Sequence, residues 1–414
     1  MKALLLIFLL SFEIHLSAQV NNSPGPENGS NEKASDRIDQ YINGLVNSNN
    51  IGGAVVLASK DDSVFQFHSY GWCDKEKKIP MPGNAIFWLA SMTKPFVVAS
   101  IFILKDEGQL SIDDPVSKYI PEINDMKVGI EYTDSTDGER RLKLENVKHA
   151  MTIRHLLANT SGFISAGLYD GPIADQYKLA SYWKYKDLQQ MVLAHVKIPL
   201  VNQPGEAWGY DFSYNVLALI IEKVSGKSLE KFFKEKIFEP LGMKDTGFNL
   251  KKKDWSRVSQ YYYTENGKLS QQQPDVLEKV SLFQGNSGCW STAEDYYKFC
   301  EMILHHGTFM GNTIIQKTTI DELFSDVEIG KDGNLLSWLP GYGYGMGFAI
   351  RVDNGKCNFA GSRGELCWFG VLNTSFWIDP GERIICIALT HIVPSDGNAI
   401  SKELRNIIYS KEDK

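Results

Sequence analysis

The sequence predicts an α+β fold with a mixed, mainly antiparallel sheet, flanked by helices and interrupted by an inserted, mostly helical subdomain. Alternation of apolar and polar residues typical of strands occurs near both ends of the chain, whereas residues 109–280 have helical and loop character. With 414 residues, of which 43% are hydrophobic, the chain can bury a large core. We assign one domain to residues 34–410, with an α/β part at 34–108 and 281–410 and the helical insertion at 109–280.

The first residues have the pattern of a secretory signal peptide, which we assign to residues 1–18. Lys2 gives a positive start, the apolar run after it is too short to span a bilayer, and Ser17 and Ala18 are small residues that suit cleavage. A buried N-terminal helix is the alternative. Residues 19–33 are rich in Asn, Ser, Pro and Gly, which predicts a flexible lead. We therefore expect an exported protein, periplasmic or extracellular.

The α/β part opens with a helix and two strands. Apolar residues recur at helical spacing in 34–47, and two strand-like runs, 52–59 and 63–70, flank a turn of one lysine and two aspartates. A strongly apolar helix is predicted from about Ser91 to Lys105, and Gly108 is placed to end it.

The insertion and the last third follow the same rules. An Asp-Gly turn between alternating residues predicts a hairpin at 127–144. The remaining predicted elements are helices at 152–158, 185–196 and 213–224, strands at 344–352, 366–378 and 383–390, and a closing helix at 399–410.

Composition argues against several classes of function. The net charge is −7 and basic residues form no long cluster, so we predict no nucleic-acid partner. No segment after the signal is apolar for long enough to predict a membrane span. Neither C-x-x-C nor H-E-x-x-H occurs, so we predict no metal site and no cofactor. Among the six cysteines, Cys357 and Cys367 could form a bridge between strands or remain isolated buried thiols.

Four Ser-x-x-Lys patterns occur, and their surroundings distinguish them. One falls in the flexible lead, one lies among aromatic and charged residues, and one opens a helix rich in Lys and Glu, where its serine suits an N-cap. The fourth begins the apolar helix. In the order just given, the pairs are Ser30/Lys33, Ser181/Lys184, Ser228/Lys231 and Ser91/Lys94.

The Ser91/Lys94 pair suits nucleophilic catalysis. Residues three apart on a helix are neighbours on one face, and the apolar sequence around them predicts burial. Burial lowers the pKa of a lysine, and a neutral amine can take the serine proton. The backbone N–H groups of a helix N-terminus also suit a developing oxyanion. An N-cap serine with a lysine that extends to solvent is the structural alternative.

Two further stretches are candidates. Tyr210 follows Pro-Gly-Glu-Ala-Trp-Gly in a turn before an apolar helix, where a phenol could act as general acid or base, or simply pack. Trp368, Phe369 and Gly370 lie on a predicted strand, and Gly370 lacks a side chain where a substrate could lie beside that strand. An ordinary strand glycine is the alternative.

Together these stretches resemble the serine β-lactamase and penicillin-binding-protein superfamily. The resemblance is greatest to the class C β-lactamase-like branch, which includes D-amino-acid peptidases and the family VIII carboxylesterases, and it covers roughly residues 35–392. The motifs that carry it are SMTKPF at 91–96, LSIDDPV at 110–116, MTIRHLLANTSG at 151–162, FEPLGM at 238–243, Tyr210 and Trp368-Phe369-Gly370.

The resemblance implies a role for each residue. Ser91 would be acylated, Lys94 would help to activate it, and Tyr210 would carry the proton to the leaving group and later activate water. The backbone N–H groups of Ser91 and Val371 would form an oxyanion hole, in which each donor typically lowers the barrier by about 3 kcal/mol. Trp368, Phe369 and Gly370 would contact substrate.

Two departures from the motifs of the family bear on the substrate. The tyrosine motif usually ends in Asn but here reads Tyr210-Asp211-Phe212, which makes β-lactam turnover a weaker prediction. The strand motif of β-lactamases and peptidases begins with Lys or His, whereas here it begins with Trp368, as in the esterase branch. A substrate without a free carboxylate is therefore favoured, unless Arg363 or His391 supplies a positive charge.

From these features we predict an exported serine hydrolase that acts through an acyl-enzyme on small carboxylic esters. Within the same superfamily the alternative is a β-lactamase or D-aminopeptidase that acts on cell-wall material. A non-catalytic penicillin-binding relative is the alternative from another class. The expected partner is a small ester or amide substrate, and the sequence gives no oligomeric state.

Overall fold

The computed structural model describes residues 29–165, 167–180, 184–265, 268–274, 280–325, 327–393 and 399–410. The predicted signal peptide and residues 19–28 of the predicted lead therefore lie outside the described residues. The helices, in chain order, are α1 (Gly29–Asn47), α2 (Lys94–Asp106), α3 (Ile153–Leu157), α4 (Pro172–Leu179), α5 (Leu188–His195), α6 (Ser213–Ser225), α7 (Leu229–Phe233), α8 (Glu239–Leu241), α9 (Ala293–Leu304), α10 (Lys317–Ser325) and α11 (Ala399–Ile408).

The strands build one large sheet and several small ones. They are β1 (Gly53–Lys60), β2 (Ser63–Asp74), β3 (Ile79–Pro80), β4 (Phe87–Trp88), β5 (Lys127–Thr133), β6 (Arg140–Asn146), β7 (Tyr261–Glu265), β8 (Lys268–Gln272), β9 (Trp290–Ser291), β10 (Thr308–Phe309), β11 (Asn312–Thr313), β12 (Tyr342–Tyr344), β13 (Ala349–Arg351), β14 (Leu366–Phe369), β15 (Ser375–Asp379), β16 (Ile384–Thr390) and β17 (Ile392–Val393).

The large sheet joins the two ends of the chain. Its order is β12-β13-β14-β15-β16-β1-β2-β3, and every pairing in it is antiparallel. The interior strand β1 pairs with β16, so that Ala54 lies opposite Thr390. Its strands come from residues 53–80 and 342–390, and the described part of 109–280 contributes none of them.

Helices cover both faces of this sheet. Phe376 and Trp377 are neighbours on β15 and therefore point to opposite faces. The Phe376 ring contacts Tyr296 of α9, with ring centres 5.0 Å apart, while the Arg405 guanidinium of α11 lies 4.1 Å from the Trp377 ring centre. Helix α1 packs against β2 and α11. The buried helix α2 packs against α6. The segment that starts at residue 94 therefore lies beside the segment that starts at residue 213.

The predicted fold class is confirmed, but two predicted strands are each a pair of strands. The run 344–352 is divided between β12 and β13 by a turn at Gly345–Phe348, in which Gly347 has φ of +86°. The run 366–378 is divided between β14 and β15, since the Gly370 N–H bonds to the Thr374 carbonyl and Asn373 has φ of +65°. Because the second turn contains apolar residues, the sequence pattern predicted one continuous strand there.

The end of the predicted flexible lead also differs from the structure. Helix α1 starts at Gly29, so residues 29–33 belong to a helix and were wrongly assigned to the flexible lead. The reason is that Ala34, Ile38 and Ile42 are buried at helical spacing, and the helix continues for one more turn before them.

Three further findings concern the cysteines, the length of the helices and metal binding in the described residues. All six cysteines are free thiols, so Cys357 and Cys367 are not bridged. Within the described ranges, no helix is both long and apolar enough to cross a bilayer, and no group of His, Cys, Asp and Glu has metal-binding geometry.

Candidate active site

Ser91 lies on a tight turn that leads into α2. The turn is a 3-10 helix at Ala90–Thr93, and Ala90 before the serine has φ of +47°. An alanine rarely adopts this conformation, and strained residues of this kind cluster at functional sites. Ser91 is partly exposed, whereas Met92 and Thr93 are buried. The turn therefore presents the serine side chain at the edge of the core.

The end of β14 lies directly against this turn. A Cβ atom added to Gly370 would be 2.5 Å from the Leu89 carbonyl oxygen and 2.2 Å from the Thr374 hydroxyl oxygen. Gly370 is therefore required by the close approach of protein atoms. The predicted contact of Gly370 with substrate stays a prediction.

Lys94 contacts Ser91, as the sequence predicts. Its Nζ lies 3.1 Å from Ser91 Oγ, 2.8 Å from Asp211 Oδ1 and 2.9 Å from the Asn286 carbonyl oxygen. The lysine side chain has no exposed surface. Three oxygen atoms therefore surround the Nζ of a buried lysine, and one of them belongs to the candidate nucleophile.

The surroundings of Lys94 do not favour the neutral amine that burial alone predicts. Burial alone lowers the pKa of the ammonium, but attraction to Asp211 and Tyr210 outweighs burial and raises the pKa of Lys94 above its ordinary value. The sequence-based prediction included burial and left out the carboxylate. This direction favours the charged ammonium form of Lys94 over the neutral amine.

Asp211 is held firmly beside Lys94. Its Oδ2 accepts a hydrogen bond of 2.9 Å from Asn286 Nδ2, and its backbone N–H donates to Asn159 Oδ1 at 3.4 Å. Asp211 has φ of +105°. The sequence showed Asp211 only as a departure from the family motif, and it gave no signal for Asn286, which completes this contact from 75 residues away.

Tyr210 joins the lysine to the candidate substrate strand. Lys94 Nζ lies 4.4 Å from the centre of the Tyr210 ring, and the Tyr210 oxygen accepts a hydrogen bond of 3.0 Å from Trp368 Nε1. Both residues are almost fully buried. The structure thus brings together Ser91, Lys94, Tyr210 and Trp368, although the last two are 158 positions apart in the chain.

Aromatic rings form a continuous wall beside these residues. Trp208 stacks on Tyr210 with centres 5.4 Å apart, and Trp368 lies 5.4 Å from Tyr210 on the other side. Phe369 and the half-exposed Trp338 extend the wall, with ring centres 5.0 Å apart. Trp208 and Trp338 were not predicted. We call these five residues the aromatic wall.

The two predicted oxyanion donors lie in turns on either side of Gly370. Gly370 itself donates its N–H to the Thr374 carbonyl oxygen. In the part of the chain that the structure describes, the N–H groups of Ser91 and Val371 donate to no other protein atom. The Val371 side chain is exposed in the β14–β15 turn. Their role as oxyanion donors stays a prediction.

His391 does not supply the positive charge that the sequence left open. It is fully buried, its Nε2 accepts the Trp88 N–H at 2.8 Å, and its Nδ1 lies 3.1 Å from the Ser259 carbonyl oxygen. Burial lowers the pKa of His391 to about 4, so its ring is neutral at pH 7. Arg363 is an exposed residue of the turn before β14.

The other Ser-x-x-Lys patterns have no such surroundings where they are described. Ser228 is the N-cap of α7, as predicted, and accepts the backbone N–H of Lys231, whose own side chain is exposed. Ser30 lies in the first turn of α1, and Ser181 falls outside the described residues.

Comparison with known proteins identifies the class. Residues 38–408 match the β-lactamase family. The chain therefore belongs to this family, and with it to the superfamily of serine β-lactamases and penicillin-binding proteins. It is a serine hydrolase, which agrees with the expectation from the sequence.

Individual relatives are distant but cover most of the chain. Protein Rv1367c of Mycobacterium tuberculosis is 28% identical over 355 residues, which are 83% of this chain and 86% of that protein. Esterase EstB of Burkholderia gladioli is 24% identical over 401 residues, 91% of this chain and 95% of the esterase.

A solved structure supports the fold. EstCE1, described as a hydrolase with promiscuous acyltransferase activity, superposes with a TM-score of 0.79. The superposition covers 92% of this chain and all of EstCE1, at 23% sequence identity. At this identity the likeness establishes the shared architecture.

Proposed function

We propose that this protein is an exported esterase that hydrolyses small carboxylic esters through an acyl-enzyme on Ser91. The observation that carries the proposal is the uncharged aromatic wall at the position where carboxylate-binding relatives have a cation. Trp368 occupies that position, and the positive charge of Lys94 is already neutralised by Asp211 at 2.8 Å. A substrate carboxylate would thus meet aromatic rings, whereas an uncharged ester would not need a cation.

The chemistry follows from the contacts around Ser91. Its Oγ attacks the ester carbonyl carbon, the alcohol leaves with a proton, and water then hydrolyses the acyl-enzyme. Tyr210 serves proton transfer, Lys94 hydrogen-bonds Ser91 Oγ, and the N–H groups of Ser91 and Val371 receive the developing oxyanion. Trp368 and Phe369 bound the space for the substrate.

The names of two relatives support an ester substrate. Esterase EstB and the hydrolase EstCE1 both match more than nine tenths of this chain. The alternative, a β-lactamase or D-aminopeptidase, is weakened by Trp368 and by the neutral, buried His391.

The test compares three substrates on the wild type and on Ser91→Ala. We expect turnover of p-nitrophenyl butyrate that falls by about a thousandfold or more in Ser91→Ala. Ser228→Ala is the matched control, since it removes the serine of another Ser-x-x-Lys pattern. Ester turnover that survives Ser91→Ala would contradict the assignment of the nucleophile.

The other substrates decide between the alternatives. Faster turnover of nitrocefin or of a D-alanyl peptide would favour the β-lactamase or peptidase function. If a fluorophosphonate forms no adduct at Ser91 and no substrate is turned over, the chain is a non-catalytic relative.

Export is tested separately. We expect the mature protein to begin after Ala18, which mass spectrometry of the purified protein from its native compartment would establish. A mature protein that retains residues 1–18 would contradict the proposed signal peptide.

A further inference from the structure

The contacts of Lys94 leave it two possible roles toward Ser91. A carboxylate oxygen and a carbonyl oxygen accept hydrogen bonds but cannot donate them, so Lys94 must donate to Asp211 and to Asn286. The third position of Nζ faces Ser91 Oγ at 3.1 Å. A neutral amine would point its lone pair there and accept the serine proton. An ammonium group would instead point its third N–H there and donate.

The carboxylate of Asp211 decides between these roles, and the backbone of Asp211 is strained in the position that brings it to Lys94. A φ of +105° is costly for a residue with a side chain, by about 1–3 kcal/mol. Such strain persists only where the surroundings impose it. Asn286 Nδ2 fixes the second carboxylate oxygen, and Asn159 Oδ1 accepts the Asp211 N–H. The carboxylate is therefore held at Lys94 from several sides.

The other groups that face Lys94 do not compensate for this carboxylate. The described titratable neighbours are Tyr210, whose ring centre is 4.4 Å from Nζ, and Tyr214, whose ring centre is 5.6 Å away. The face of an aromatic ring attracts a cation. Every described neighbour of Nζ thus favours the charged form, and loss of its proton would leave a buried carboxylate without a counter-ion.

We propose that Asp211 is a positioning residue that keeps Lys94 an ammonium group directed at Ser91 Oγ, so that Lys94 donates to the serine oxygen and does not accept its proton. This inference rests on the proposed acyl-enzyme function. It assigns to Asp211 the choice between two mechanisms that the same serine and lysine could support.

The proton of Ser91 then goes to Tyr210. As the bond from Ser91 Oγ to the ester carbonyl carbon forms, the serine O–H bond breaks and its proton moves to the Tyr210 oxygen. The phenol's own proton passes to the oxygen of the departing alcohol as the ester C–O bond breaks, so Tyr210 ends with one proton, as it began. Lys94 keeps its three protons throughout, and Trp368 Nε1 donates to the Tyr210 oxygen in the resting site.

The test is the pH dependence of kcat/KM for p-nitrophenyl butyrate in Asp211→Asn. Asparagine has the same shape and tolerates positive φ, but without the carboxylate the buried lysine loses its proton at a lower pH. We expect the ratio of wild-type to variant activity to rise by about tenfold or more between pH 6 and pH 9. A ratio that stays constant or falls with pH would overturn the proposal.

Glu365→Gln is the matched control. It also removes the carboxylate of a buried ion pair, with Arg405 at 2.7 Å, but this pair lies under α11 and does not contact Ser91. Its pH profile should have the shape of the wild type. If it changed in the same way as that of Asp211→Asn, the effect would be one of general stability, and the proposal would fail.

A second measurement depends neither on activity nor on the Asp211→Asn variant. In protein labelled with 13C-lysine, the Lys94 Cε signal is identified by its absence in Lys94→Met. We expect this signal to remain that of an ammonium group from pH 6 to pH 9, and a titration within this range would overturn the inference. Fluorophosphonate labelling separates the two proposals: without an adduct at Ser91 the esterase proposal fails, whereas an adduct with a titrating Lys94 refutes only the role of Asp211.

Discussion

Two buried ion pairs of this protein have nearly the same distance between nitrogen and oxygen but lie in different surroundings. Lys94 and Asp211 are 2.8 Å apart at the candidate active site, and Arg405 and Glu365 are 2.7 Å apart beneath α11. The Glu365 oxygen accepts from two guanidinium nitrogens and from Tyr342, and Arg405 also donates to Ser401. The acceptors of Lys94, in contrast, include the partly exposed Ser91.

The difference indicates what each pair does. Arg405 bonds to Ser401 of its own helix α11, to Glu365 just before β14, and packs on Trp377 of β15, so this pair joins α11 to the sheet. The Lys94 pair requires strain at Asp211 and directs one donor at a side chain that solvent can reach. We infer that the first pair serves stability and the second serves reactivity.

The largest expected effect comes from removal of the lysine. Lys94→Met keeps the length of the side chain but removes the donor to Ser91 and the counter-ion of Asp211. We expect ester hydrolysis to fall by about a thousandfold, equivalent to about 4 kcal/mol of transition-state stabilisation. Initial rates of the purified variant measure this loss. Lys231→Met is the control, and a variant with more than a tenth of wild-type activity would refute the reactive role.

The second largest expected effect is a loss of protein stability when the ion pair of Arg405 and Glu365 is broken. Glu365→Gln leaves the Arg405 guanidinium buried without a carboxylate, which should lower the free energy of unfolding by about 3 kcal/mol. Urea unfolding measures this change. The folded variant should keep its ester activity at neutral pH. A large loss of activity with unchanged stability would show that the comparison between the two pairs is wrong.

The smallest effect concerns His391, a buried group to which the described part of the chain brings no counter-charge. Its pKa is lowered to about 4, so the unfolded chain binds a proton below its ordinary pKa of about 6.5 while the folded chain does not. The contribution of His391 to stability is thus complete above about pH 6.5 and is lost as the pH falls toward 4. From pH 7 to pH 5 this loss is about 2 kcal/mol.

His391→Asn checks this expectation because its amide does not titrate. The difference in unfolding free energy between wild type and His391→Asn should shrink by about 2 kcal/mol from pH 7 to pH 5. A difference that stays constant would mean that the histidine carries a proton in the folded protein.

The sequence predicts local parts of this site well. Ser91 and Lys94 are three residues apart, so helical geometry alone predicts their contact. A hairpin at 127–144 was predicted from its Asp-Gly turn and is observed as β5 and β6, and the end of α2 was predicted from Gly108, which has φ of +67°. In each case a few neighbouring residues determine the conformation.

Contacts between residues that are far apart in the sequence could not be predicted in the same way. Asp211 and Asn286 reach Lys94 across 117 and 192 positions of the chain, so the charge of the lysine depends on the tertiary fold. Burial alone indicated a neutral amine, and the carboxylate reversed that result. The turn after β14 was missed because Val371 and Leu372 are apolar, and only Asn373 gave a local signal.

The pairing of β1 with β16 constrains when the protein can become active during synthesis. Strand β1 is complete after Lys60, but its partner β16 is made only when the ribosome has passed Thr390. The turn that holds Ser91 likewise receives Gly370 and Thr374 from late in the chain, with the Thr374 hydroxyl bonded to Leu89 across 285 positions. Contacts so distant in sequence form slowly. A nascent chain that stops short of β16 therefore contains the serine and the lysine but cannot assemble the site around them.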